Sequence, residues 1–286
     1  MITILDGGLG SELGRRGLDT QTVLWSTVAL LGDRGRAILR EVHRDYVFAG
    51  ADVITANTFR TNRRALDKGG IADRFAALVE AAVHEARTAR DEAKRPDVRV
   101  AGSMAPLEDC YRPDLRPPPE EARREHGEHA KALAGAGCDL LLVETVGTVG
   151  EGLVAAEAAL ETGLPVWFAA MAHPRGEPFG WSDLREVSRR VAALGVQAVL
   201  LNCTPVEGID AALPALPGAG LPFGAYAHMG EIDPASGWPS GPVLSPGDYR
   251  ARACAWIAAG ATIVGGCCGT TPNHIAALAS LRSPAG

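Results

Sequence analysis

The chain has 286 residues, 47% of them apolar and 22% charged, with a formal net charge of -6 at pH 7. That length and balance suit one large domain with a substantial core, and the negative charge without a clustered basic stripe counts against a nucleic-acid surface. No apolar run approaches the roughly 18 residues needed to span a bilayer, and residues 2–6 show no basic, apolar leader, so a cytoplasmic protein is expected. Six cysteines in a chain of this size make no dense disulfide framework, which leaves free thiols or metal ligands as the expectation.

From the start of the chain, short apolar runs alternate with alanine-rich segments of helical period. Residues 2–5 read as a first strand, 34–48 as a helix and 51–55 as a second strand. A long helical region over 71–94 precedes strand three at 98–102. Residues 119–136 read as a helix and 139–143 as strand four; helix 148–161 leads to strand 166–171, and helix 182–194 to strand 196–201. A shorter crossover at 207–216 comes before strand seven at 222–227. Helix 246–259 then leads to strand eight at 261–264, and 274–281 closes the set. Gly-Ala or Ala-Gly steps punctuate several strand starts, at Gly50-Ala51, Gly137-Cys138 and Gly260-Ala261. The strands are near-continuous apolar runs, as parallel strands covered on both faces should be. Eight strand-then-helix units predict an α/β protein made of a single (β/α)8 TIM barrel over residues 1–286. The competing open sheet with a nucleotide at its switch point is disfavoured, because the first turn, Asp6 to Ser11, lacks the full dinucleotide-binding spacing. The loops at 110–119 and 229–247 follow strands and so stand on the face where barrels bind substrates, as candidate lids.

Near the C-terminus, a β-branched run ends in Gly265-Gly266-Cys267-Cys268-Gly269-Thr270-Thr271-Pro272. Vicinal cysteines bridge each other only through a strained ring, so two thiols delivered to one point suit a thiophilic metal, zinc first. Two small buried hydrophobes at a strand end would look the same, and a third ligand has to decide. The strand ends supply one. They read Asp6-Gly7-Gly8, Asn57-Thr58-Phe59, Ser103, Glu144-Thr145, Asn202-Cys203-Thr204, Tyr226-Ala227-His228 and Cys267-Cys268, which puts Cys203 on the face of the pair. Three thiolates leave one tetrahedral position open, the pattern of a catalytic rather than a structural zinc site.

These motifs together, with residues 5–11, 52–62, 143–145, 201–205 and 265–272, resemble the homocysteine S-methyltransferase family over nearly the whole chain. The resemblance implies a (β/α)8 barrel with zinc (Zn2+) on Cys203, Cys267 and Cys268, and methyl transfer to the thiol of homocysteine, giving methionine. The chemistry is coherent, since a free alkyl thiol is only a few per cent thiolate at neutral pH and zinc would deprotonate it while leaving a lone pair for attack. The amino-acid end of the substrate needs an ammonium acceptor and a carboxylate clamp. Asp6 and Glu144 suit the first, and the amides of Gly7 and Gly8 the second. Asn57 and Thr58 are further substrate-binding candidates, unless they only cap the next helix.

Aromatic faces would attract a sulfonium or quaternary ammonium donor. Trp25, which with Ser26 matches a Trp-Ser element of the family, is the first choice, followed by Phe59, Tyr226 and Trp181. Within 286 residues there is no room for folate or cobalamin modules, so the expected donor is small: S-methylmethionine, then S-adenosylmethionine or betaine. Many relatives carry Tyr-Pro-Asn at the end of strand seven where this chain has Tyr226-Ala227-His228. That departure leaves the donor open, and a thiol or selenol other than homocysteine as acceptor. A zinc-binding or thiol-sensing barrel without turnover is the alternative, although such a module has no need of an amino-acid clamp. Cys110, Cys138 and Cys254 read as ordinary core or loop cysteines.

Overall fold

Short apolar runs that are buried on both faces can only be stacked side by side and wrapped by helices, and this is what the chain builds. A computed structural model describes residues 2–172, 181–232, 239–240 and 243–282. In chain order the elements are β1 (Thr3–Ile4), α1 (Leu9–Arg15), a 3₁₀ segment (Trp25–Leu30), α2 (Asp33–Phe48), β2 (Val53–Ala56), α3 (Arg63–Lys68), α4 (Phe75–Glu92) and β3 (Arg99–Met104). There follow α5 (Pro119–Ala136), β4 (Leu140–Val146), α6 (Val149–Leu160), β5 (Val166–Ala170), α7 (Trp181–Leu194), β6 (Ala198–Pro205), α8 (Val206–Ala212) and β7 (Phe223–His228). The last are β8 (Glu231–Ile232), β9 (Pro239–Ser240), α9 (Pro246–Ala258), β10 (Ile263–Gly266) and α10 (Pro272–Ala279).

Eight strands form one parallel sheet in the order β1-β10-β7-β6-β5-β4-β3-β2. A bridge between Leu5 and Val53 joins the two ends, so the sheet closes into the expected (β/α)8 barrel. One apolar cluster fills the interior, with Leu5, Val53, Leu142, Trp167, Leu200 and Ile263 among its members. A larger cluster lies between the strands and the surrounding helices.

The punctuation before the strands has a physical reading. Gly50, Gly137 and Gly260 take φ of 100°, 91° and 103°, a left-handed conformation that ends each helix at little cost only for glycine. The aspartates two residues after Gly50 and Gly137 then tie strand starts together. Asp52 Oδ2 accepts from the Ile4 amide at 2.8 Å, and Asp139 Oδ2 from the Val100 amide at 2.7 Å.

Three features depart from the sequence expectation. The helical region 71–94 is a 3₁₀ turn (Ala72–Arg74) followed by α4. The short helices α1 and α3 are additional, since seven and six residues carry too little apolar period to show. Helix α3 depends on its cap, Asn62, whose side chain accepts from the Ala65 amide. The 229–247 loop carries a two-stranded antiparallel ribbon, β8 with β9.

Candidate active site

The C-terminal end of β10 is a turn with almost every polar group engaged. The Cys267 amide donates to the Ala227 carbonyl at 3.0 Å, the Met229 amide to the Cys268 carbonyl at 2.9 Å, and the Thr270 hydroxyl to the Cys267 carbonyl at 2.7 Å. Arg15 of α1 holds the same turn, donating to the Gly269 carbonyl at 2.7 Å. Pro272 opens α10 beneath it, with Thr271 and His274 forming a capping box. Two cysteine side chains are thereby fixed in place by backbone rather than left on a free loop.

Cys203 arrives from β6 in an unusual conformation. Its φ is 49°, and that of Thr145 on β4 is 60°, both in the left-handed region that non-glycine residues seldom take. Each lies where strand pairing shifts register, between Asn202 and Pro205 and between Val143 and Val146. Asn202 stitches the two irregularities together. Its Oδ1 accepts from the Thr145 amide at 2.9 Å, and its Nδ2 donates to the Thr145 hydroxyl at 2.8 Å and to Glu144 Oε2 at 3.4 Å. The strain turns Cys203 inward. The thiol sulfurs of Cys203, Cys267 and Cys268 lie within 4.8 Å of one another, and all three cysteines are free. Thiols on a tetrahedral zinc, with Zn–S of about 2.3 Å, sit roughly 3.8 Å apart, so this donor set fits a soft cation with small adjustment. Hydrogen bonds from Cys267 and Cys268 hold the Cys203 thiol well below the usual thiol range and push the other two up. Of the three, Cys203 is the thiol that gives up its proton most readily.

These thiols line one side of a cleft of about 870 Å³, open solvent at its mouth included, into which Asp6, Gly7, Gly8, Trp25, Asn57 and Glu144 also open. Asp6 Oδ2 accepts from the Thr55 amide at 2.7 Å and Oδ1 from the Thr55 hydroxyl at 3.0 Å. Glu144 accepts from the Ser103 hydroxyl at Oε1 and from the Tyr226 hydroxyl at Oε2, the latter at 2.9 Å. Burial dominates both carboxyls, and neither forms an ion pair among the described residues. It pushes Asp6 up to about 8 and Glu144 up to about 7, against the opposing pull of their hydroxyl and amide donors.

The remaining candidates divide. The Gly8 amide is spent on Thr270 Oγ1 at 3.0 Å, so it is not a free donor for a substrate carboxylate. Both glycines are demanded by packing: a Cβ at Gly7 would stand 2.7 Å from Thr270 Oγ1, and one at Gly8 2.6 Å from the Cys267 carbonyl. Asn57 opens on the cleft while donating to the Ser26 carbonyl at 2.8 Å, which fixes the 3₁₀ segment that carries Trp25. Thr58 does not line the cleft. It is buried behind the wall, its hydroxyl donating to the Ser103 carbonyl and accepting from the Ser103 amide, both at 2.9 Å.

Trp25 stacks on Phe59 with centroids 5.9 Å apart, and the Arg60 guanidinium sits 4.3 Å from the Trp25 ring centre, so one cation already occupies an aromatic face there. Tyr226 presents its hydroxyl to Glu144. The Trp181 side chain and His173 lie outside the described residues, as do residues 233–238 and 241–242 of the second long loop. His228 is buried at the end of β7 beside Cys203, whose thiol it helps to hold low, and its ring nitrogens make no other hydrogen bond among the described residues. Cys138 is core, packed against Gly102, and Cys254 is half-buried on α9. Cys110 is not an ordinary loop cysteine: it lines the cleft in a small cluster with Met171 and Cys203. Sequence reasoning also missed Tyr111, whose hydroxyl lies 3.4 Å from the Cys203 sulfur. The adjacent Cys110-Tyr111 pair in a loop after a strand was the only available signal.

The fold and site define a barrel with a three-thiol centre beside a carboxylate-lined cleft. The family model for homocysteine S-methyltransferase matches residues 3–281. The homocysteine S-methyltransferase of Escherichia coli is 34% identical over 97% of this chain and 94% of its own length. The selenocysteine methyltransferase of Astragalus bisulcatus is 28% identical over 98% and 92%. The metallated form of the E. coli homocysteine methyltransferase MmuM superposes with a TM-score of 0.80 at 32% identity, over 99% of this chain and 96% of that one. The chain belongs to the homocysteine S-methyltransferase family, and it is a methyltransferase.

Proposed function

We propose that this chain, acting as one barrel domain, moves a methyl group from a small donor to the thiol of homocysteine and forms methionine, with zinc on Cys203, Cys267 and Cys268. The observation that carries this reading is a cleft lined both by three converging thiols and by two buried carboxyls that have no counter-ion among the described residues. Buried acids in that state call for a cation, and the ammonium of an amino acid supplies one.

Asp6 and Glu144 bind the ammonium, with Thr55, Ser103, Tyr226 and Asn202 fixing the carboxylate oxygens toward it. The Gly7 amide is the backbone donor for the carboxylate, because that of Gly8 is engaged by Thr270. The three cysteines hold the metal, which when bound supplies a Lewis acid that keeps the substrate sulfur a thiolate at neutral pH. Trp25 and Phe59 form the wall against which the donor rests, so that much of the remaining acceleration is positioning. S-methylmethionine is the favoured donor, with S-adenosylmethionine or betaine next. The selenocysteine methyltransferase among the relatives supports testing a selenol acceptor in parallel.

The test is metal content together with methionine formation from homocysteine, using the three donors side by side, for the wild type and Cys267→Ala. About one zinc per chain and turnover on one donor, both lost in the variant, is the expected result. A protein that binds no zinc under reducing conditions, with Cys267→Ala indistinguishable from wild type, would contradict it.

A further inference from the structure

Zinc-bound thiolates are nucleophiles in their own right, so a site that methylates a substrate sulfur has to spare its own three. One of the three, Cys203, packs beside the proposed donor wall. It shares a small apolar cluster with Met171 and Cys110, against which Phe59 of the proposed donor wall packs. Cys203 is also the thiol that a phenol reaches, Tyr111 Oη lying 3.4 Å from its sulfur. As a metal-bound thiolate Cys203 has no proton to give, so in that state the phenol donates.

The hydroxyl is not there by chance of a free loop. Leu107 donates its amide to the buried Glu151 at 2.9 Å, and Glu108 is held by Arg64 and Lys68, its carbonyl accepting from Arg60 at 3.0 Å. Asp109 caps the turn, accepting from the amides of Tyr111 at its side chain and Arg112 at its carbonyl, at 2.9 and 2.8 Å. Each of the residues between 107 and 109 is thus anchored to α3, α6 or the turn itself, and Tyr111 is presented from a fixed base.

We infer that Tyr111 is a positioning residue that donates a hydrogen bond to the Cys203 thiolate and so shields this ligand from methylation by the enzyme's own donor. The inference rests on the zinc-thiolate reading above. The reaction it suppresses is balanced: the Cys203 sulfur forms a bond to the methyl carbon, the donor's sulfur–methyl bond breaks with its electron pair returning to the donor sulfur, and a neutral thioether remains. A thioether is a poor zinc ligand, so each such event would release the metal and end that molecule's activity.

The test uses zinc-loaded wild type and Tyr111→Phe, matched for metal content and thermal melting, without homocysteine. Each is exposed to iodomethane, a neutral methylating agent that needs no donor site, and separately to S-methylmethionine. Methyl incorporation is located by peptide mass spectrometry, and released zinc is followed with a chromophoric chelator. Loss of a charge-assisted hydrogen bond should speed methylation at Cys203 by about tenfold or more, with zinc released in step and Cys267 and Cys268 unchanged. Equal rates in the two proteins, or methyl spread evenly over the three cysteines, would overturn the inference. Tyr111→Leu provides a second folded variant, in which retained protection would overturn it equally. A wild type that takes up no zinc fails both this inference and the functional proposal. A zinc-loaded Tyr111→Phe that behaves as wild type fails this one alone.

Discussion

Asn202 carries more of the site than its neighbours do. Holding Thr145 and Cys203 at positive φ costs about 1–3 kcal/mol each, and the Asn202 side chain offsets part of that cost through its two bonds to Thr145. Asn202→Leu, similar in volume, should destabilise the fold by roughly 2–4 kcal/mol in urea unfolding, because the Thr145 amide and hydroxyl lose their buried partner. It should also weaken zinc binding in a chelator competition, since Cys203 is the next residue. The buried carboxyls give a pH prediction. Asp6 and Glu144 are raised to about 8 and about 7 in the ligand-free fold, from ordinary values of 3.8 and 4.5. A raised carboxyl stabilises the fold below its unfolded value and loses that contribution as pH rises through the folded one, so ligand-free stability should decline between about pH 4 and 8. Binding of an ammonium reverses the preference and expels protons. Methionine affinity, measured by calorimetry, should therefore rise over the upper half of that window, and Glu144→Gln should flatten the rise. An affinity independent of pH would exclude these two acids as the ammonium site. Both carboxyls were legible as polar strand ends. Asn202 was legible as a position but not as a clamp, because its role depends on a register shift that no residue pattern announces.

Among the elements, the barrel strands were readable because burial on both faces leaves them continuously apolar, and the glycine steps before them marked left-handed helix ends. The cysteine turn was readable for a similar reason: glycines at its start and a proline opening the next helix are requirements of the backbone. Gly266 illustrates how tight that turn is, since a Cβ there would lie 2.3 Å from Thr270 Oγ1. Gly266→Ala should displace Thr270 from the Cys267 carbonyl and the Gly8 amide. The expected outcome is a folded protein with zinc affinity reduced by about tenfold or more, measured by chelator competition. Unchanged affinity would mean that the turn tolerates movement that the geometry says it cannot. The loop carrying Cys110 and Tyr111 was not readable, because its placement depends on ion pairs from Glu108 to α3, and long-range pairings leave no local signature.

At the scale of the whole molecule, closure of the barrel brings thiols from β6 and from the turn after β10 into one cleft with carboxyls that follow β1 and lie on β4, more than 50 residues apart in sequence at every step but the vicinal pair. The seam between β1 and β2 is held by the Leu5–Val53 bridge and by Asp52, which binds the Ile4 amide and pairs with Arg282 at 2.7 Å. Asp52→Ala should lower stability by about 1–3 kcal/mol in urea unfolding and loosen Asp6, two residues beyond Ile4. The most direct test of the central claim is zinc K-edge X-ray absorption on the metal-loaded protein, before and after homocysteine. Three sulfur neighbours rising to four on addition of substrate is the predicted result. Four sulfurs throughout, or a count unmoved by homocysteine, would contradict an open thiol site that takes the substrate sulfur directly.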